Sequence, residues 1–151
     1  TEIQTLYSPL NGQAIPLAEV KDETFAGEVL GKGMAVIPSE GVVKAPCDAE
    51  VSMVFDTKHA IGLTTESGIE LLIHVGLNTV ELEGKYYTVH VNDGDKVKEG
   101  QTLITFEMDK IKDAGYDVTT PMIVTNTDDF EEVTFLNAGT VNTDSRVLEV
   151  R

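Results

Sequence analysis

Short runs of apolar and β-branched residues, separated by polar turns, cover most of the chain. Turns such as Asn11-Gly12 and Asn92-Asp93-Gly94 end these runs, and a helical apolar period is confined to Asp109–Ala114 and Leu17–Val20. The pattern predicts an all-β fold, an antiparallel sandwich or barrel with at most one or two short helical turns. The predicted strands are Val51–Phe55, Ile69–Val75, Tyr86–Val91, Thr102–Phe106, Met122–Thr125, Val133–Leu136 and Val147–Val150.

Length and charge limit the number of domains and the kinds of partner that we expect. The chain has 151 residues, 41% of them hydrophobic and 25% charged, which predicts one globular domain over residues 1–151. Its 26 acidic residues exceed its 11 lysines and arginines, and the formal net charge is −15. Such a surface repels phosphate backbones, so we expect no nucleic-acid partner. The charge either attracts a basic partner surface or simply keeps the protein in solution.

The chain shows no sign of secretion or membrane insertion. Its one cysteine, Cys47, has no partner for an internal disulfide, which excludes a disulfide scaffold and is compatible with a reducing compartment. The longest apolar runs are too short to span a bilayer. We therefore expect a cytoplasmic protein. Because the first residue is Thr, we also expect a processed protein or a domain excised from a larger chain.

Three histidines are the main candidates for chemistry, since no zinc-binding spacing, phosphate loop or nucleophile elbow is present. His74 follows the apolar run Leu71-Leu72-Ile73, where an imidazole needs either a hydrogen-bond partner or a reactive role. His59 follows another strand and is either a solvated turn residue or part of a site. His90, on one predicted strand face with Thr88 and Tyr86, is expected to have a structural or surface role.

Several segments together resemble one family. The stretch from Gly68 to Val80, with His74 at its centre, looks like the active-site signature of glucose-type enzyme IIA of the bacterial sugar phosphotransferase system. Thr57–Gly62 matches the segment with that family's second active-site histidine, and Leu30–Pro38 matches an early glycine turn and strand. Thr120–Asn126 matches a strand near the end. The resemblance covers nearly the whole chain.

The resemblance implies a phosphocarrier, a phosphotransferase component with a phosphohistidine intermediate. His74 would accept a phosphoryl group on Nε2 from the histidine phosphocarrier protein HPr and pass it to the sugar-specific enzyme IIB. The backbone carbonyl of Gly76 would hold Nδ1–H of His74. His59 would donate a hydrogen bond to the phosphoryl oxygens, and Thr57, two residues earlier on an extended stretch, would orient the His59 ring.

The resemblance also implies a docking rim around the histidines. Asp22 would meet arginines of HPr, and the expected apolar rim residues are Phe25, Phe55, Leu72, Val29 and Leu30. Val29 and Leu30 could equally be core residues. The sequence departs from the family pattern at Asn78, where an aspartate is usual, and at Lys32; Asn78 removes a charge and bears on partner choice.

Metal binding and regulation are secondary expectations. We expect no intrinsic metal or cofactor, although His59 and His74 could hold Zn²⁺ if a partner supplied a carboxylate. Related proteins also bind other proteins according to their phosphorylation state, so a regulatory binding module is an alternative that is compatible with the carrier role.

A rival resemblance concerns the later part of the chain. Gly94–Leu103 is similar to the turn and strand of biotinyl and lipoyl carrier domains, and Glu107-Met108-Asp109-Lys110 to the hairpin that presents their modified lysine. On this alternative, Lys110 would carry the prosthetic group. Such a hairpin needs a second apolar strand directly after the lysine, and Ile111–Gly115 interrupts that pattern.

Overall fold

Strands dominate the computed structural model, which describes residues 3–151. In chain order they are β1 (Gln4–Tyr7), β2 (Gly12–Pro16), β3 (Lys32–Pro38), β4 (Val42–Lys44), β5 (Ala49–Val54), β6 (Ala60–Thr64), β7 (Glu70–His74), β8 (Tyr87–Val89), β9 (Lys96–Val97), β10 (Thr102–Phe106), β11 (Thr120–Val124), β12 (Val133–Phe135), β13 (Gly139–Val141) and β14 (Arg146–Val150). The helices are short: α1 (Glu23–Ala26), α2 (Met108–Asp113) and single 3-10 turns at Leu17–Glu19, Thr79–Leu82 and Thr127–Asp129.

Antiparallel pairing organises the strands into one large sheet and two small ones. The large sheet has the order β13-β2-β3-β11-β7-β6-β5-β9, and the small sheets have the orders β1-β14-β12 and β4-β10-β8. The main core contains residues of all three sheets, such as Ile73 from β7, Ile104 from β10 and Leu148 from β14. The predicted all-β antiparallel sandwich is therefore confirmed.

Alternation along β7 assigns its side chains to two faces. Leu71 and Ile73 point into the main core, whereas Leu72 and His74 point to the opposite face of the large sheet. One end of that face is covered by the segment that contains α1. The cover forms a second, smaller apolar cluster of Leu17, Val20, Phe25, Ala35, Leu77 and Ile123. His74 lies where this cover ends.

The sequence pattern placed several element boundaries incorrectly. Tyr86 and His90 flank β8 rather than belonging to it, and Tyr86 has a φ of 76°, which a strand cannot contain. Phe55 lies just after β5. The pattern also missed α1 and several strands that are very short or rich in polar residues and glycine, namely β1, β2, β4, β6, β9 and β13. Most of these strands pair with strands distant in the chain, as β1 pairs with β14, whereas β6 pairs with its chain neighbours β5 and β7.

Helix length bears on membrane insertion. In residues 3–151, no helix is long and apolar enough to cross a membrane.

Candidate active site

His74 ends β7 with its ring half-buried and one nitrogen fixed. Nδ1 lies 2.7 Å from the carbonyl oxygen of Gly76. A carbonyl oxygen can only accept a hydrogen bond, so the proton of the neutral ring resides on Nδ1. Nε2 then keeps its lone pair, which is the state that a nitrogen nucleophile requires.

The position of Gly76 admits no other residue without strain. Its φ is +90°, in the region that side chains rarely adopt. A Cβ there would lie 2.5 Å from Cγ2 of Thr79 and 3.0 Å from the carbonyl oxygen of Asp117. The glycine therefore allows the chain to turn back so that its own carbonyl reaches the His74 ring.

His59 faces His74 because their strands are paired. Ala60, the first residue of β6, is the register partner of His74. The two imidazole centroids are 4.6 Å apart with an interplanar angle of 79°, and His59 is only 3% exposed. The arrangement places two imidazoles edge to face at one point of the sheet surface.

Thr57 contacts the His59 ring, with Oγ1 lying 2.7 Å from Nδ1. The expectation that Thr57 lies on an extended stretch was wrong. Residues 56–59 form a turn in which Lys58 has a φ of 60°. The turn brings the hydroxyl and the ring of residues two apart to the same side, a contact that simple strand alternation also suggested.

Burial lowers the basicity of both imidazoles. Burial, followed by the charge of His74, lowers the pKa of His59 to about 4. Burial also lowers the pKa of His74, although the hydrogen bond to Gly76 and the negative charge of Asp22 act in the opposite direction. Both rings are therefore neutral near pH 7, and His74 has a free lone pair there.

Apolar side chains surround the histidine pair. The ring of Phe25 lies 5.1 Å from that of His74, and Phe55 lies 5.6 Å from His59 in an edge-on arrangement. Leu72 is half-buried on the same face of β7 as His74. Phe25 is itself buried in the small cluster under α1, so it supports the His74 ring from below more than it offers a contact surface.

The remaining predicted rim residues differ in exposure. Val29 is 73% exposed and Leu30 39% exposed, so neither is a core residue. Asp22 is half-buried, and Oδ1 accepts a hydrogen bond from the backbone N–H of Thr24 at 2.9 Å, which caps α1. Asn78 is exposed with a φ of 62°, a conformation that asparagine tolerates well. Their role in partner binding stays a prediction.

Residues that the sequence pattern did not single out include Met53, Thr79 and Tyr87. Met53, whose register partner on β6 is Gly62, is 46% exposed on β5. The hydroxyls of Thr79 and Tyr87 both contact the carbonyl of Val75, which lies between His74 and Gly76. Tyr87 is thirteen residues after His74 on a strand of another sheet, and no local pattern signals that contact.

The other candidate residues lie apart from this arrangement. His90 is exposed, and its Nε2 lies 2.9 Å from Oγ1 of Thr105. Lys110 is on α2 rather than on a hairpin, and its Nζ pairs with Glu107 at 3.0 Å. In residues 3–151, no group of three or more His, Cys, Asp and Glu side chains is placed to hold a metal ion.

Comparisons with known proteins show the family of the chain and agree with this fold. The family described as "phosphoenolpyruvate-dependent sugar phosphotransferase system, EIIA 1" matches residues 4–130. The chain is 50% identical over 127 residues to the beta-glucoside-specific EIIBCA component of Bacillus subtilis, covering 84% of the chain and 21% of that protein. It is 44% identical over 147 residues to the beta-glucoside-specific EIIBCA component of Dickeya chrysanthemi, covering 97% of the chain and 23% of that protein.

A solved structure gives the same result. Glucose permease IIA from Mycoplasma capricolum matches with a TM-score of 0.89 and 30% identity, over 99% of this chain and 96% of that one. The chain therefore belongs to the EIIA 1 family of the phosphoenolpyruvate-dependent sugar phosphotransferase system, as predicted, and is a phosphotransferase component. It spans about a fifth of the length of the two curated relatives.

Proposed function

We propose that this chain is the phosphocarrier that accepts a phosphoryl group from phospho-HPr on Nε2 of His74 and passes it to an enzyme IIB domain for sugar uptake. The observation that carries the proposal is the facing pair of His74 and His59, in which a carbonyl fixes the proton of His74 on Nδ1. The names of the curated relatives join IIB and IIA in one component, which supports IIB as a partner.

The transfer step follows from this tautomer. The Nε2 lone pair of His74 forms a bond to phosphorus while the bond between phosphorus and the phosphohistidine nitrogen of HPr breaks. The HPr imidazole leaves with that electron pair. The Nδ1–H of His74 remains bonded to the Gly76 carbonyl throughout, so no proton must leave before attack. In the transfer to IIB, the His74 imidazole is the leaving group: the bond between Nε2 and phosphorus breaks while a nucleophile of IIB forms a bond to phosphorus.

His59 would stabilise the phosphoryl group. When the Thr57 hydroxyl donates a hydrogen bond to Nδ1 of His59, the ring proton is on Nε2. The Nε2–H group can then donate a hydrogen bond to a phosphoryl oxygen. The centroid separation of 4.6 Å supports a contact between the His59 ring and a group bound to His74. Positioning and charge stabilisation of this kind dominate catalysis of phosphoryl transfer.

The wider context of the domain is also a proposal. We infer that residues 1–151 act as one phosphocarrier domain of a larger permease chain, at the cytoplasmic face of the membrane. The lengths and names of the curated relatives support this assignment. Regulatory binding, and Zn²⁺ held by both histidines with a partner carboxylate, stay predictions; two imidazoles alone make a weak site.

The test is the intact mass of the protein after incubation with phosphoenolpyruvate, enzyme I and HPr. The wild type and His90→Ala should each gain one acid-labile phosphoryl group, and His74→Ala should gain none. His90 is the matched control because its exposed imidazole lies outside the facing pair. A His74→Ala variant that still gains the group, or a wild type that gains none with active enzymes, would refute the proposal.

A further inference from the structure

The carbonyl oxygen of Val75 accepts two side-chain hydrogen bonds in the interior. Oγ1 of Thr79 donates at 2.7 Å and the hydroxyl of Tyr87 donates at 2.8 Å. Both residues are buried. Burial raises the pKa of Tyr87 to about 12, so its hydroxyl stays a donor at neutral pH. Two donors occupy both lone pairs of one carbonyl.

This carbonyl belongs to a run of three fixed peptide groups. The N–H of Val75 donates to the His59 carbonyl at 2.6 Å, and the N–H of Leu77 donates to the Asp117 carbonyl at 2.9 Å. The peptide group between Val75 and Gly76 is held by the two hydroxyls that donate to the Val75 carbonyl. Gly76 therefore has a fixed peptide on each side, although its own lack of a side chain would let it rotate.

We propose that Thr79 and Tyr87 are positioning residues, which hold the Gly76 carbonyl against Nδ1 of His74 and thereby set the reactive tautomer. Neither side chain contacts the His74 ring in the hydrogen-bond network; both act through the peptide that precedes Gly76. Tyr87 lies on β8, in the small sheet β4-β10-β8, so this contact links a small sheet to the site on the large sheet.

A purely structural role would look different. If the hydroxyls only satisfied a buried carbonyl, removing one would lower stability and leave the His74 tautomer unchanged, since the other donor would remain. A positioning role predicts that loss of either donor loosens the turn at Gly76. The Nε2–H tautomer of His74, which has no lone pair for attack, would then gain population.

The variants are Tyr87→Phe and Thr79→Val, which remove a hydroxyl and retain the shape, and Thr79→Ser, which restores a donor. Ser8→Ala is the control, because Ser8 is buried and its Oγ donates to the Leu10 carbonyl at 2.6 Å in a segment next to β1. The first readout is the ¹⁵N NMR spectrum of the His74 ring in the unphosphorylated protein, and the second is kcat and KM for phosphoryl acceptance from phospho-HPr.

We expect Tyr87→Phe and Thr79→Val each to increase the Nε2–H fraction and to lower kcat about tenfold, with KM little changed, as for loss of one buried hydrogen bond. Thr79→Ser and Ser8→Ala should match the wild type. Wild-type tautomer populations in folded Tyr87→Phe and Thr79→Val would overturn the inference. The kinetic readout rests on the proposed function, whereas the NMR readout does not. A wild type that accepts no phosphoryl group would therefore refute the phosphocarrier function, and the tautomer populations would still decide the positioning role of Thr79 and Tyr87.

Discussion

Two side-chain nitrogens were predicted to carry a group, that of His74 at the end of β7 and that of Lys110 on the helix α2. The surroundings of the two nitrogens differ in burial and in hydrogen bonding. At the end of β7, burial keeps the His74 ring neutral and Gly76 fixes its proton. On α2, the Lys110 side chain is 60% exposed, and its hydrogen bond to Glu107 raises its pKa. A protonated amine has no lone pair. His74 is therefore prepared to attack as a nucleophile in the unmodified protein, whereas Lys110 is neither neutral nor presented on a hairpin.

The largest effect on phosphoryl transfer in this comparison should come from substitution of His59, which faces His74 at the end of β7. In His59→Gln, we expect acceptance from phospho-HPr to fall little and onward transfer to IIB to fall about 100-fold, the cost of replacing a preorganised imidazole donor, held by Thr57, with a flexible amide. Rapid-quench transfer assays in both directions measure this. Equal losses in the two half-reactions would contradict a selective role of His59 in onward transfer, and no loss in onward transfer would show that His59 does not act on the phosphoryl group.

The acid stability of the protein should reflect the same burial. The pKa of His59 is lowered from 6.5 to about 4, so the unfolded chain takes up a proton that the folded chain refuses. The contribution of neutral His59 to the free energy of unfolding is complete above pH 6.5 and is lost as pH falls towards 4. Urea titrations should show a steeper decline over that window for the wild type than for His59→Gln. Parallel declines would contradict the lowered pKa.

A smaller effect should come from the charge beside His74. Asp22→Asn retains a good N-cap for α1 and removes the carboxylate charge. We expect the association rate with HPr to fall a few-fold at low salt and to depend less on salt than in the wild type, as for steering contacts. Asp144→Asn, in an exposed turn, is the control for net charge. Identical salt profiles for Asp22→Asn and Asp144→Asn would place Asp22 outside the interface.

The smallest effect should come from substitution of Lys110 on α2. Lys110→Gln breaks the exposed pair with Glu107 and should leave phosphoryl transfer and melting temperature at wild-type values, because exposed ion pairs contribute little. Melting curves and the transfer assay check this. Detection of biotin or lipoate attached to Lys110, after expression with the ligase, would revive the rival assignment.

Sequence pattern was sufficient wherever a property is local. The apolar run Ile69–Val75 predicted the strand that ends at His74, and the resemblance supplied the contacts of Gly76 and Thr57. The pattern failed where pairing is long-range. The two-residue strand β9 has no propensity of its own, and it is a strand because Lys96 and Val97 pair with Glu50 and Ala49.

The supporting contacts of the site were equally hidden. Tyr87 reads as one more aromatic residue of a predicted strand, and only the packing of two sheets brings its hydroxyl to Val75. Exposure was also unpredictable for Val29, because an apolar residue after a short helix can face either way. What the sequence could not supply is therefore the orientation of side chains across layers.

The central claim is that His74 attacks through Nε2 because Gly76 holds Nδ1–H. The most direct measurement is a two-dimensional ¹H–¹⁵N spectrum of the phosphorylated protein, labelled in histidine, which shows which ring nitrogen carries phosphorus. We expect phosphorus on Nε2 of His74, with Nδ1 still protonated and hydrogen-bonded. Phosphorus on Nδ1 of His74, or on His59, would contradict it.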